Sequence, residues 1–94
     1  MYAAIRRFRT DGDMDEALSR ADDVYTKAVE CQLGFVEHRV VRIAPDEVMS
    51  VLLFDTKAEV DRNRSFSEQF IDVGFAGLDV ELLDEWRGEV EPRS

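Results

Sequence analysis

The sequence contains one cysteine and one histidine in 94 residues. The lone Cys31 excludes an internal disulfide and a cysteine-built metal site within one chain. No apolar run approaches the ~20 residues that a membrane span needs. Positive charge is also short, with 12 basic against 21 acidic residues and a formal net charge of -9. Such a surface repels phosphate backbones and anionic lipid, so neither nucleic acid nor a membrane is an expected partner. Strand-like residues begin at Tyr2 and leave no place for a signal peptide, so a cytoplasmic location is expected. Asn63-Arg64-Ser65 matches the glycosylation acceptor pattern; without a secretion signal it reads as a chance match.

What is present suits a small globular unit. Hydrophobic residues make up 45% and charged residues 35% of the chain, an ordinary balance. The length fits a single domain over residues 1–94, with a tail at 89–94 expected to be flexible. A domain this small has a marginal core. With disulfides and cysteine-bound metal excluded, association with a second copy is the remaining way to bury more surface.

The pattern of residues predicts six elements in the order β-α-β-β-α-β. Residues 2–9 read as a strand, followed by the Asp11-Gly12 turn signal. Asp13 and Glu16 have capping-box spacing. Met14, Ala17, Leu18, Ala21, Val24, Tyr25 and Ala28 then form one apolar helical stripe. Gly34 is a stop signal just beyond it. Residues 35–43 and 48–54 read as two strands joined by a turn at Ala44-Pro45-Asp46-Glu47. Thr56 and Glu59 repeat the capping box and start the second helix. Its stripe, Ala58, Phe66, Phe70 and Val73, is interrupted by the polar run 61–65, so a break is expected there. Gly74 and Gly77 mark its exit, and residues 80–87 read as the last strand.

Two helices cover one face of a four-stranded sheet. A water-exposed second face should alternate with charge. The strand from Val48 to Phe54 is instead apolar on both sides, with Met49, Val51 and Leu53 on one and Val48, Leu52 and Phe54 on the other. The expected remedy is pairing with a second copy about a two-fold axis. The fold expected is a ferredoxin-like α+β sandwich with an antiparallel sheet, paired into a dimeric α+β barrel. A concave apolar cavity between sheet and helices, or between partner sheets, would be a default ligand site.

Two stretches resemble the antibiotic-biosynthesis-monooxygenase-like family of dimeric α+β barrels. Gly34-Phe35-Val36 opens the second strand, and Leu52-Leu53-Phe54-Asp55-Thr56 links the third strand to the second helix. The resemblance implies this fold over nearly the whole chain. The family includes cofactor-independent oxidisers of aromatic polyketides and degraders of haem. Its functional residues are not retained at the positions that can be matched. Phe54 stands where a Trp is common. Ser50 replaces an Asn and Val60 a Tyr of the polyketide oxidisers. Arg64 falls near the position of a His in the haem degraders, and the first strand has no Asn. The resemblance therefore supports the barrel rather than either chemistry.

The remaining candidates each have two readings. His38 is a general base or haem ligand facing a cavity, or a half-buried strand residue with a structural hydrogen bond. Arg6, between Tyr2 and Phe8 on one strand face, either holds a carboxylate or enolate against a ring or pairs with an acid. Arg42 shares a face with His38 and the same alternatives. Trp86 either stacks on an aromatic ligand or seals an interface. Ser50 and Phe54 complete the set of candidate ligand contacts. Asp11, Asp13 and Asp15 have the opening spacing of a calcium loop, but helix capping explains them better. No Gly-rich phosphate loop, Ser-His-Asp order or zinc spacing is present, and no cofactor is expected. Three functions stay open: a module binding a small apolar or aromatic molecule, a cofactor-independent monooxygenase or related small enzyme, and a non-catalytic interaction domain.

Overall fold

The computed structural model describes residues 1–74 and 80–91, with side chains described through residue 67 and again from residue 80. The chain forms strand β1 (Tyr2–Thr10), helix α1 (Met14–Arg20), a π-wound segment (Ala21–Thr26), helix α2 (Lys27–Glu30), strands β2 (Phe35–Ala44) and β3 (Glu47–Phe54), helix α3 (Lys57–Gly74) and strand β4 (Val80–Glu89). The sheet order is β2-β3-β1-β4, and every neighbouring pair is antiparallel. This is the expected ferredoxin-like arrangement, with both helical stretches on one face.

Local chemistry sets several boundaries. The Asp13 carboxylate accepts the Glu16 backbone N–H at 3.1 Å, so Asp13 is the N-cap as expected, while the Glu16 carboxylate accepts from Arg20 Nε at 3.1 Å. At the second cap, the Thr56 hydroxyl donates to the Glu59 carboxylate at 2.8 Å and accepts its backbone N–H at 3.4 Å. Gly34 sits at φ 80°, a left-handed conformation that favours glycine. The Glu59 carboxylate also fills the space a Cβ would need at this glycine, so a side chain there would be strained by the backbone and would displace Glu59.

Two expectations about the helices are corrected. The first stripe does not continue through Val24: Val24 is exposed and Ala28 half-buried, while Tyr25 and Val29 are buried. The π segment adds residues to its turn and moves the apolar phase along by one. The second helix is not broken at 61–65, since α3 runs unbroken from Lys57 to Gly74. Its inward face is polar over much of its length. Ala58 is exposed, whereas Glu59, Val60, Asn63 and Ser67 are buried. The expected stripe residues Phe70 and Val73 lie outside the described side chains, and Gly77 outside the described residues.

Alternation along the strands sorts the rest. Ala4, Leu52 and Phe54 point under the helices and join Tyr25, Val29 and Val60 in the core, with Tyr2, Phe35 and Phe66 packed against them. Ile5, Met49, Val51 and Leu53 point to the open face, together with Val41, Ile43 and Trp86. β4 reaches further than expected. Gly88 and Glu89 pair with Ala3 and Tyr2, and Val90 donates its N–H to the Met1 carbonyl. Edge pairing thus orders the start of the expected tail, while residues 92–94 lie outside the described residues. Among the described residues, no helix is long and apolar enough to cross a membrane.

Candidate functional site

A cavity of about 70 Å³ lies between the sheet and the first helix, and about 650 Å³ is available when its open mouth is included. Phe8 and Thr10 of β1, Val40 of β2, Val48 of β3 and Val80 of β4 supply the sheet side. Met14, Ala17, Leu18, Ala21 and Tyr25 close it from above. The other polar side chains that line it are Arg6, Arg9, His38, Ser50 and Ser67.

These polar groups belong to two hydrogen-bonded chains whose directions can be worked out. In the first, the Thr26 hydroxyl donates to the Ala21 carbonyl at 3.1 Å. A hydroxyl has one hydrogen, so Thr26 Oγ1 can only accept from His38 Nδ1, 3.0 Å away. His38 therefore carries its proton on Nδ1. Its Nε2 is then an acceptor, and Ser50 Oγ, at 2.9 Å, is the donor. In the second, Ser67 donates to Asn63 Oδ1 at 3.0 Å. The Tyr25 hydroxyl, 2.6 Å from Ser67 Oγ, is therefore the donor to it. Asn63 Nδ2 donates to Gln32 Oε1 at 3.0 Å.

Arg6 is almost fully buried at 3% exposure and donates its Nε–H to Glu85 at 2.8 Å. Its terminal nitrogens reach Asn63 Oδ1 and Ser67 Oγ at 3.4 Å. Arg6 also stands directly opposite Ser50 in the β1–β3 register. Burial holds the His38 imidazole below its ordinary pKa; the Arg6 charge adds to this and the Asp22 carboxylate opposes it. The ring is therefore neutral at pH 7, as the tautomer argument requires.

The structure thus gathers Arg6, Phe8, His38 and Ser50 from the candidates named by sequence. It does not gather the others. Tyr2 and Phe54 face each other at the far end of β1 and β3, and Phe54, at 1% exposure, is core. Six residues of extended strand separate Tyr2 from Phe8, roughly 20 Å. Trp86 pairs with Ile5 and is half exposed on the opposite face of the sheet. Arg42 sits at the rim, pairing with Asp15 at 3.2 Å and donating to the Pro45 carbonyl at 3.1 Å; with His38 it lines an open depression that adjoins the cavity and shares Leu18, Ala21 and Val40 with it. The Tyr2–Arg6–Phe8 sandwich does not form around one ligand position, because Arg6 is drawn to Glu85 and α3.

Sequence reasoning missed Thr26, Asn63, Ser67 and Glu85. A signal existed for two of them: Glu59, Asn63 and Ser67 recur every four residues, which is a polar stripe at helical spacing. Asn63, at 1% exposure, is closed to glycosylation in the folded chain.

No family model and no curated protein sequence matches the chain. Solved structures do. A Deinococcus radiodurans protein classed with the antibiotic biosynthesis monooxygenases superposes with a TM-score of 0.79 at 14% identity, covering 100% of this chain and 96% of that one. SnoaB, a cofactor-independent oxygenase from Streptomyces nogalater, gives 0.75 at 14% identity, covering 98% and 94%. A dimeric ferredoxin-like protein from an uncultured marine organism gives 0.72 at 11% identity, covering 99% and 96%. At these identities the likeness is one of fold: the chain has the ferredoxin-like α+β fold of the antibiotic-biosynthesis-monooxygenase-like proteins.

Proposed function

We propose that the chain binds a small, largely apolar molecule, aromatic rings included, in the cavity between sheet and first helix. The observation that carries this reading is the lining: mostly apolar walls, with Arg6, Arg9, Thr10, His38, Ser50 and Ser67 as the polar side chains among them. That is the usual build of a small-molecule site. The enclosed part is about 70 Å³, roughly half of a 150 Å³ cavity that takes benzene. A ring would enter partway, with the remainder of the ligand lying along the mouth. Calorimetry with 1-naphthol tests this. Wild type is expected to bind it, and Val40→Trp, at the half-exposed rim, to weaken binding by about tenfold or more, equivalent to about 1.4 kcal/mol. No binding by wild type at millimolar probe, or equal binding by the variant, would refute the reading.

The open face supports a homodimer. Val41, Ile43 and Trp86 are each near half exposed there, beside half-buried Met49, Val51 and Leu53. Large apolar side chains exposed together, here interspersed with the Arg7–Asp84 and Arg39–Glu37 ion pairs, support an interface, and the dimeric marine protein shares the fold. Light scattering is expected to give twice the 10.8 kDa of the chain. Leu53→Asp, which sets a second carboxylate beside Glu37, is expected to return it to the single-chain mass. A wild-type monomer would remove the dimer from the reading.

A further inference from the structure

We propose that Ser50 and His38 form a nucleophile–base pair for acyl transfer, acting on small esters with an apolar acyl or aryl group. This rests on the reading of the cavity as a small-molecule site and adds a reaction to it. The Ser50 hydroxyl hydrogen is directed at His38 Nε2 over 2.9 Å. His38 Nδ1–H is in turn held by Thr26 at 3.0 Å, and Thr26 by the Ala21 carbonyl. A nucleophile, a base and a third group orienting the base are the parts such chemistry needs. Here the orienting group is neutral: a hydroxyl anchored on the π-wound segment, a winding often found at functional sites. Tyr25, the neighbour of Thr26, packs its ring against the imidazole with centroids 5.4 Å apart, which fixes the plane of the base from a second side.

The steps balance. Ser50 Oγ bonds to the ester carbonyl carbon while its proton passes to His38 Nε2. The oxyanion so formed develops in the cavity that Arg6 also lines; the guanidinium N–H groups that rest 3.4 Å from Asn63 and Ser67 are the donors that would turn to it. The carbon–oxygen bond to the alcohol breaks, and His38 returns the proton to that oxygen. Water then attacks acyl-Ser50, gives its proton to His38 and releases the acid; His38 hands the proton back to Ser50. The sum is ester plus water to acid plus alcohol. Ser50 and His38 are catalytic residues in this scheme, and Thr26 is a positioning residue.

The charged and titratable groups around His38 are Arg6 from β1, Asp22 and Tyr25 from the π segment, and Arg39 and Arg42 from β2. Burial and Arg6 together favour the neutral ring. The rate should therefore rise with pH through a value below the ordinary 6.5 of histidine and stay level through neutrality.

The test pairs a covalent probe with a turnover assay on the full chain. Diisopropyl fluorophosphate is expected to add one phosphoryl group, with loss of fluoride, at Ser50 by intact mass and peptide mapping. Ser50→Ala is expected to show none while keeping the wild-type circular dichroism. Hydrolysis of 1-naphthyl acetate is expected to fall about 10²–10⁴-fold in His38→Gln, the usual contribution of a general base. Thr26→Val should lower kcat, and Thr26→Ser should restore it, which a role in packing alone would not produce. If 1-naphthol binds but Ser50 takes no phosphoryl group, or takes it equally fast in His38→Gln, the acyl-transfer proposal is overturned and the binding reading stands. If 1-naphthol does not bind, the binding reading falls and the proposal with it.

Discussion

Phe54→Ala is expected to lower the free energy of unfolding by about 3–5 kcal/mol, the cost of emptying a large aromatic site in a packed core. Phe54 is 1% exposed at the end of β3. Its ring meets Phe35 edge-on with centroids 6.2 Å apart, and it shares the core with Leu52, Val29 and Val60. The site cannot collapse easily. Phe54 is held in two ladders at once, opposite Tyr2 and opposite Phe35, and Asp55 next to it donates its N–H to the Gly34 carbonyl at 2.9 Å. A domain of this size has only about 5–15 kcal/mol in total, so the variant should be substantially unfolded at moderate urea. Urea denaturation at fixed protein concentration measures it, since association adds a concentration-dependent term. A loss under about 1 kcal/mol would show that Phe54 is not a core anchor.

Arg6→Ala is expected to cost about 3 kcal/mol, the low end for removing one partner of a buried ion pair. The low end applies because Glu85 keeps 21% exposure while Arg6 has 3%. Truncation strands the Glu85 carboxylate and takes donors from Asn63 and Ser67. Arg6→Met with Glu85→Gln keeps the volume and removes both charges, so the double variant should recover much of the loss; a double-mutant cycle reads the coupling. The same pair sets an acid limit. Burial alone would raise the Glu85 pKa, but the Arg6 hydrogen bond and charge, with Arg64 and Arg87, outweigh it and hold the carboxyl below its ordinary 4.5. A carboxyl lowered in the folded state adds stability that is complete above the unfolded value and lost as pH falls through the folded one. Wild type should therefore lose stability progressively below about pH 4.5, and Arg6→Ala should lose less over that range. Equal acid sensitivity in the two proteins would rule out this linkage.

The dependence of the site on tertiary context explains which residues were readable. His38 and Ser50 could be named individually, because a single histidine and a serine in an apolar strand both stand out. Their relation could not. Ser50 faces Val40 and His38 faces Leu52 in the β2–β3 ladder, and only that register sets the two side chains diagonally on one face. Asn63 looked like an interruption of a helix because its neighbours are charged. It is buried because Arg6, Ser67 and Gln32 together satisfy its amide, and buried polar groups persist where such partners exist. Trp86 has the size and aromaticity of either a ligand contact or an interface seal, and the alternation of β4 turns it to the face away from the cavity.

The sequence by itself determined the order of elements and most of their ends, through interactions that span a few residues: the caps at Asp13 and Thr56, the left-handed Gly34 and the turn at Pro45 and Asp46. It also carried the surplus of apolar residues on both sides of β3. Only the tertiary structure decided the phase of the first helix beyond Ala21, the burial of a polar face on α3 and the direction of the hydrogen bonds from Ser50 to Ala21. Those bonds join residues twelve positions apart in two places, Thr26 to His38 and His38 to Ser50. The direction of each follows from where the next hydrogen goes, so it exists only once helix and sheet are packed together.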